Sequence, residues 1–140
     1  EETCLDLLGR GQITVDGDVI QGDGGTRPAA ITGGYVALAL VLRQLIAADK
    51  APAAVLLPAV AGVSVGVVHG DALLDLCYDE DVKAEVDFNL VLNGLGQFIE
   101  VQGTAERRAF DRAALDRLLD LGMAGISQLL AAQADVLRTG

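Results

Sequence analysis

Five acidic residues fall between Asp79 and Asp87 in the stretch CYDEDVKAEVDFNLV, and one of them is out of place for a surface turn. Asp87 stands between Val86 and Phe88, inside an apolar run. Side chains alternate along a strand, so Asp87 shares a face with Glu85 and Asn89 and either meets water or lines a cleft. Asp81, a short way upstream, can fold back beside it across a turn. Two adjacent carboxylates repel, and one stays protonated unless a cation joins them. A divalent cation held through such oxygens, where phosphates share the site, is typically magnesium. The blander reading is a solvated acidic turn. Spacing alone leaves both open.

A second stretch, QGDGGTRPAAITGG from Gln21 to Gly34, places glycines and Arg27 where a strand passes into a helix. The free N–H groups of a first helical turn point outward, and the helix dipole favours an anion there. Glycines let the backbone come close to a ligand. The planar guanidinium of Arg27 matches phosphate geometry. No Gly-Lys-Ser/Thr follows, so this is not a P-loop, and Arg27 occupies the place of the third glycine of a dinucleotide fingerprint. The alternative is a tight turn carrying a solvated arginine.

Other candidates carry less. His69 is the single histidine, beside Gly70 in a predicted hairpin turn, where it reads as a turn residue rather than as a member of a catalytic triad. Cys4 and Cys77 lack metal-ligand spacing and make no disulfide framework, so they read as reduced cytosolic thiols.

The elements that must position these groups follow from periodicity. Gln12 to Gln21 alternates and predicts a half-buried strand. A helix runs from about Pro28 to Ala48, its Gly33, Gly34 and alanines implying very close packing on a neighbour. Asp49 to Ala54 is a loop. Val60 to Val68 and Ala72 to Tyr78 predict a hairpin about His69-Gly70-Asp71. Asp79 to Lys83 is a polar turn. Val86 to Leu92 and Phe98 to Gln102 flank an Asn93-Gly94 turn. Asp111 reads as the N-cap of an amphipathic helix reaching about Leu137, with Leu115, Leu118, Leu119, Met123, Ile126, Leu129 and Leu130 at helical spacing. The order β-α-β-β-β-β-α gives helices with a largely antiparallel sheet.

The 140 residues suit a single domain, 1–140, and 51% apolar composition supports a real core. No apolar run reads as long enough to span a bilayer, Val55 to Val68 coming nearest. No basic leader precedes the acidic start, so a cytoplasmic location is expected. The net charge of −10 argues by itself against nucleic acid, although a local site can override it. The chain opens on Glu1, which points to a piece of a longer protein.

Taken together, the segments DGDVIQGDGGTRPAAITGG (Asp16 to Gly34), GVSVGVVHGDALLDLCYDED (Gly62 to Asp81), AEVDFNLVLNGLGQFIEVQGTAE (Ala84 to Glu106) and FDRAALDRLLDLGMAGI (Phe110 to Ile126) resemble bacterial ribonuclease PH. They stand in that family's order and spacing, and EVQGTAE favours ribonuclease PH proper over its exosome and polynucleotide phosphorylase cousins. The resemblance implies an α+β sandwich (α/β class) of the ribosomal protein S5 domain 2-like type, a mixed sheet packed against helices. It implies a phosphorolytic 3′-to-5′ exoribonuclease that trims tRNA precursor 3′ ends with inorganic phosphate and releases nucleoside diphosphates. It assigns phosphate binding to Gly25, Thr26 and Arg27, and catalysis and Mg2+ binding to Asp81 and Asp87. It also implies a ring-shaped hexamer built from dimers, and an upstream half with arginines that grip RNA.

Some residues depart from the family pattern. Pro28 and Ala30 replace polar residues, Val82 and Lys83 replace small ones, and ERRAF (Glu106 to Phe110) replaces a glycine-containing turn. Lys83 could pair with Asp81 or Asp87 and lower their pKa. The alternative function is a non-catalytic, exonuclease-like binding or assembly module.

Overall fold

The structure, a computed structural model, describes residues 11–139. Its elements are α1 (Thr26–Ala47), a 3-10 turn (Ala53–Val55), β1 (Val60–Val68), β2 (Asp71–Leu74), a single helical turn α2 (Tyr78–Asp81), β3 (Val86–Asn93), β4 (Phe98–Ala105) and α3 (Arg112–Thr139). The strands form one sheet in the order β2-β1-β3-β4. All its pairings are antiparallel, so among the described residues the sheet is antiparallel and not mixed.

Register sorts the side chains. Val63 opposes Leu90, Val65 opposes Phe88, and Leu74 opposes Val65. These residues point to one side and, with Ala61, Val86 and Leu92, form the main core. α3 closes that side. Asp111 starts the helix as an N-cap, its Oδ1 accepting the Ala114 N–H at 2.8 Å. Leu118, Gly122, Gly125 and Ile126 recur at helical spacing and are buried. A side chain at Gly122 would overlap Leu90, so the helix lies directly on the sheet there.

α1 solves a different problem. β2 pairs with β1 only from Val65 onward, which leaves the first half of β1 an open edge. α1 and α3 cap it. The Gly62 N–H donates to Thr32 Oγ1 at 3.1 Å. Gln133 Nε2 donates both to Val60 O at 2.8 Å and to Thr32 O at 2.9 Å. One glutamine thus ties both long helices to the strand edge, satisfying backbone groups that would otherwise be buried without partners.

Several expectations are corrected. Gln12 to Gln21 forms no strand; the segment is irregular and mostly exposed, because no neighbouring strand among the described residues offers it a ladder. The second hairpin strand ends at Leu74 and does not reach Tyr78, since Asp75 turns left-handed (φ 58°). Part of the Asp79 to Lys83 turn is helical. The expected close packing at Gly33 and Gly34 is not found among the described residues: none would meet a side chain at Gly33, and of them only Val15 lies near Gly34. The expectation that no segment suits a membrane by length also fails. Thr26–Ala47 is long and apolar enough to cross one by length and composition, with a mean hydropathy of 1.6 in its most apolar window. His69 does occupy the β1–β2 turn, at φ 52°. Cys4 lies outside the described residues.

Candidate active site

The side of the sheet opposite the main core carries the polar residues. Antiparallel partners point the same way, so Ser64 with Asn89, Gly66 with Asp87, and Thr104 with Asp87 share that face. Glu100 joins it through its register with Val91. Leu76 folds over Gly66, where a side chain would overlap it, and with Val68 and Ala84 it makes a small apolar cluster beside the site.

α1 begins at this face. Gly24 (φ 88°) and Gly25 (φ 58°) are both left-handed, and a side chain at Gly24 would overlap the Leu76 carbonyl oxygen. Glycine is required there by conformation and by space. Gly25 is the N-cap residue, and no side chain caps the helix. Asp23 has the right chemistry for a cap, but it accepts the Tyr78 N–H at 3.0 Å instead. Pro28 has no N–H, and the Ala29 N–H bonds Gly25 O at 3.1 Å. The N–H groups of Thr26 and Arg27 have no acceptor among the described residues, so the positive end of the helix dipole is open there.

Arg27 is already engaged. Its Nη2 lies 2.6 Å from Glu100 Oε2, with side-chain exposures of 56% and 31%. The hydrogen bond it donates to Glu100, and the charge of that carboxylate, raise the Arg27 pKa further. The same hydrogen bond holds the Glu100 carboxyl below its ordinary range. The pair spans α1 and β4 and orients the guanidinium over the polar face.

The carboxylates follow from two neighbouring elements. The Cys77 N–H donates to Glu80 Oε2 at 3.0 Å, a capping interaction that fixes α2 and places Asp81 at its end. Asp87 is half-buried on β3. Burial, the largest cause, pushes its carboxyl pKa up, and the charges of Asp81 and Glu106 push it further, against a lowering hydrogen bond from the Phe88 N–H. Asp81 is therefore near enough to be felt. Lys83 makes no ion pair among the described residues, so its expected pairing with Asp81 or Asp87 does not form, and Asp87 shifts up instead of down.

No group of three or more His, Cys, Asp or Glu that could hold a metal occurs among the described residues. Two neighbouring carboxylates match part of the donor set magnesium uses when phosphate and water complete its shell. Ser64, Glu100 and Glu106 were not singled out by the sequence. Ser64 is the one hydroxyl in VAGVSVGVV, and only the β1–β3 register puts it on the Asp87 face. Glu100 and Glu106 carry no local signal, because their roles arise from contacts across the sheet.

Comparison with known proteins identifies relatives of the chain. Residues 59–125 match the family model described as "3' exoribonuclease family, domain 2". The chain is 53% identical over 133 residues to a ribonuclease PH of Synechococcus sp. (strain JA-2-3B'a(2-13)), covering 93% of this chain and 54% of that protein. It is 48% identical over 136 residues to a ribonuclease PH of Dehalococcoides mccartyi, covering 96% of this chain and 56% of that one. The chain thus spans about half the length of the curated relatives it matches. Among solved structures, rice (Oryza sativa) Rrp46 superposes with a TM-score of 0.64 at 20% identity, over 86% of this chain and 51% of that one. The Archaeoglobus fulgidus exosome with RNA bound to the active site gives 0.58 at 16%, over 79% and 44%. At such identities these two speak for the fold, which is the α+β arrangement the resemblance implies.

Proposed function

We infer that this chain, which belongs to the ribonuclease PH family and carries its domain 2, supplies the phosphate-holding and carboxylate half of a phosphorolytic 3′-to-5′ exoribonuclease. One observation carries the reading. An uncapped helix N-terminus with a flanking arginine opens on the sheet face that bears Asp87, whose carboxyl feels the charge of Asp81 at the end of α2. Two same-face steps along a strand measure about 13 Å, so the Glu100–Arg27 level and the Asp87 level flank a space the size of a nucleotide phosphate and its attacker.

In this reading Gly25, Thr26 and Arg27 bind inorganic phosphate. The N–H groups and the guanidinium orient one phosphate oxygen toward the phosphorus of the terminal phosphodiester. That oxygen forms the new P–O bond as the bond to the 3′ oxygen of the preceding nucleotide breaks, and a nucleoside diphosphate leaves. Such a transfer needs positioning and charge stabilisation and no side-chain nucleophile. Asp81 and Asp87 would hold Mg2+, which supplies positive charge to the crowded phosphate oxygens. The substrates are RNA 3′ ends, with tRNA precursors as the class the family relationship favours. The protein works in the cytoplasm, away from membranes, as part of a homo-oligomer, a hexamer built from dimers.

The test is an RNA-trimming assay with Mg2+, with and without inorganic phosphate, reading nucleoside diphosphate. Product formed only with phosphate is the expected result. A folded protein that binds phosphate and yields no diphosphate would mean that this chain holds half of an active site, and one that binds no phosphate would overturn the reading. Arg27→Ala should raise the phosphate requirement strongly, and an unchanged requirement would remove Arg27 from the site.

A further inference from the structure

Ser64 is buried on the polar face of the sheet, 6% exposed, and its Oγ has no hydrogen-bond partner among the described residues. A buried hydroxyl without a partner is costly, and native proteins rarely leave one so. It sits against the open start of α1: a Cβ built on Gly25 would lie 3.3 Å from Ser64 Oγ. The unpaired hydroxyl and the unpaired N–H groups of Thr26 and Arg27 therefore meet at the same left-handed glycine. The backbone of β1 holds Ser64 in place, because Ser64 O accepts the Asp75 N–H at 2.8 Å and β3 pairs along its other side. The hydroxyl is thus fixed in position, and its proton is free to turn.

We propose that Ser64 Oγ is a further ligand of the inorganic phosphate held at the start of α1, donating a hydrogen bond to one of its oxygens. The proposal rests on the phosphate-site reading above and adds to it a residue on β1. Two donors are backbone groups and cannot be removed by ordinary substitution. Ser64 is the rigid side-chain donor of the set, while Arg27 is exposed and shared with Glu100. Asp75 Oδ1 would lie 3.2 Å from the same Cβ on Gly25. A phosphate must therefore sit on the Ser64 side of the glycine, away from that carboxylate, or arrive partly protonated. Both the charge and the location of the unpaired hydroxyl favour the Ser64 side. It is also the side nearer Asp87, one same-face step further along β3 from Asn89, or about 7 Å.

The experiment titrates inorganic phosphate into the full chain by calorimetry, against sodium chloride of equal ionic strength, and follows the melting temperature in parallel. Ser64→Ala should weaken phosphate binding about tenfold, the usual scale for one hydrogen bond to a charged group. Without phosphate the same variant should melt no lower than the parent, because it removes an unsatisfied group. A purely structural serine would show the opposite pattern, with a lower melting temperature and unchanged affinity, and would overturn the proposal. Should Ser64→Ala fail to fold, Ser64→Cys keeps the volume while losing the strong donor and reads the same affinity. Unchanged phosphate affinity in the serine variants, with Arg27→Ala losing it, would sink the Ser64 assignment alone. No phosphate binding by the parent chain would sink the phosphate site itself, and Ser64 with it.

Discussion

The two sides of the sheet are built from the same strands and differ in almost everything else. On one side Val63, Val65, Phe88 and Leu90 interlock under α3 and exclude water. On the other, the alternate residues Ser64, Asp87 and Asn89 face an open helix start, an ion pair and repelling carboxylates. The first side holds the fold together, and its packing fixes the backbone on which the second side can keep unsatisfied groups. Strand alternation makes this division possible, since one backbone serves both sides with no shared side chain.

That division predicts that the sides can be damaged separately. Phe88→Ala attacks the closed side. Phe88 is 2% exposed, and its loss leaves a cavity against Gly103, so destabilisation of about 3–5 kcal/mol is expected in denaturant unfolding. At temperatures where the variant is folded, its phosphate affinity should match the parent. A loss of affinity in the folded variant would mean that the two sides are coupled. Thr32→Val comes next. It orphans the Gly62 N–H at the capped edge and should cost about 1–2 kcal/mol.

Asp87→Asn attacks the open side. Diphosphate formation should be abolished while the protein remains folded. The Asp87 pKa is raised in the folded state, so the folded protein keeps a proton that the unfolded chain has already released. Stability therefore falls as pH rises from the ordinary aspartate range through the folded-state value, and the loss persists at neutral pH. Asp87→Asn should flatten that fall in chelator-treated protein and make the neutral protein slightly more stable. A variant less stable than the parent at pH 7 would show that the carboxylate is structural.

How much of this was legible in the sequence follows the same division. The closed side was readable, because Val60 to Val68 and Val86 to Leu92 announce strands by composition, and Asp111 with the leucines after it announces α3. The glycine mouth and the paired aspartates were readable as candidates, since Asp87 interrupts an apolar run. The failures concern relations between distant segments. Gln12 to Gln21 has a strand's alternation but no partner to pair with among the described residues, and alternation states only which side each residue would face. Gln133 hides among the leucines of α3, yet it caps the edge of β1. Lys83 looks like the natural counter-ion of Asp87 and forms no pair, whereas Glu100, far along the chain, holds Arg27. Counter-ions are chosen by the folded geometry, and proximity in sequence is a poor guide to it.

Glu100→Gln gives the smallest effect on stability and the sharpest test of the open side. The ion pair is largely solvated, and such pairs add little, so the melting temperature at pH 7 should be unchanged within error. What stability it does give is present above the ordinary glutamate pKa and is lost as pH falls through the lowered folded-state value. Its functional weight is larger if the proposed phosphate site holds, because Glu100 and phosphate would then compete for one guanidinium. Removing the carboxylate's charge frees Arg27 for the incoming anion, and phosphate should bind severalfold more tightly, with the gain shrinking as salt screens both interactions. Weaker binding would assign Glu100 the opposite role, as the group that aims Arg27 into the site. In that case the arginine and its partner act as a single unit, and the open side is preorganised as firmly as the closed one.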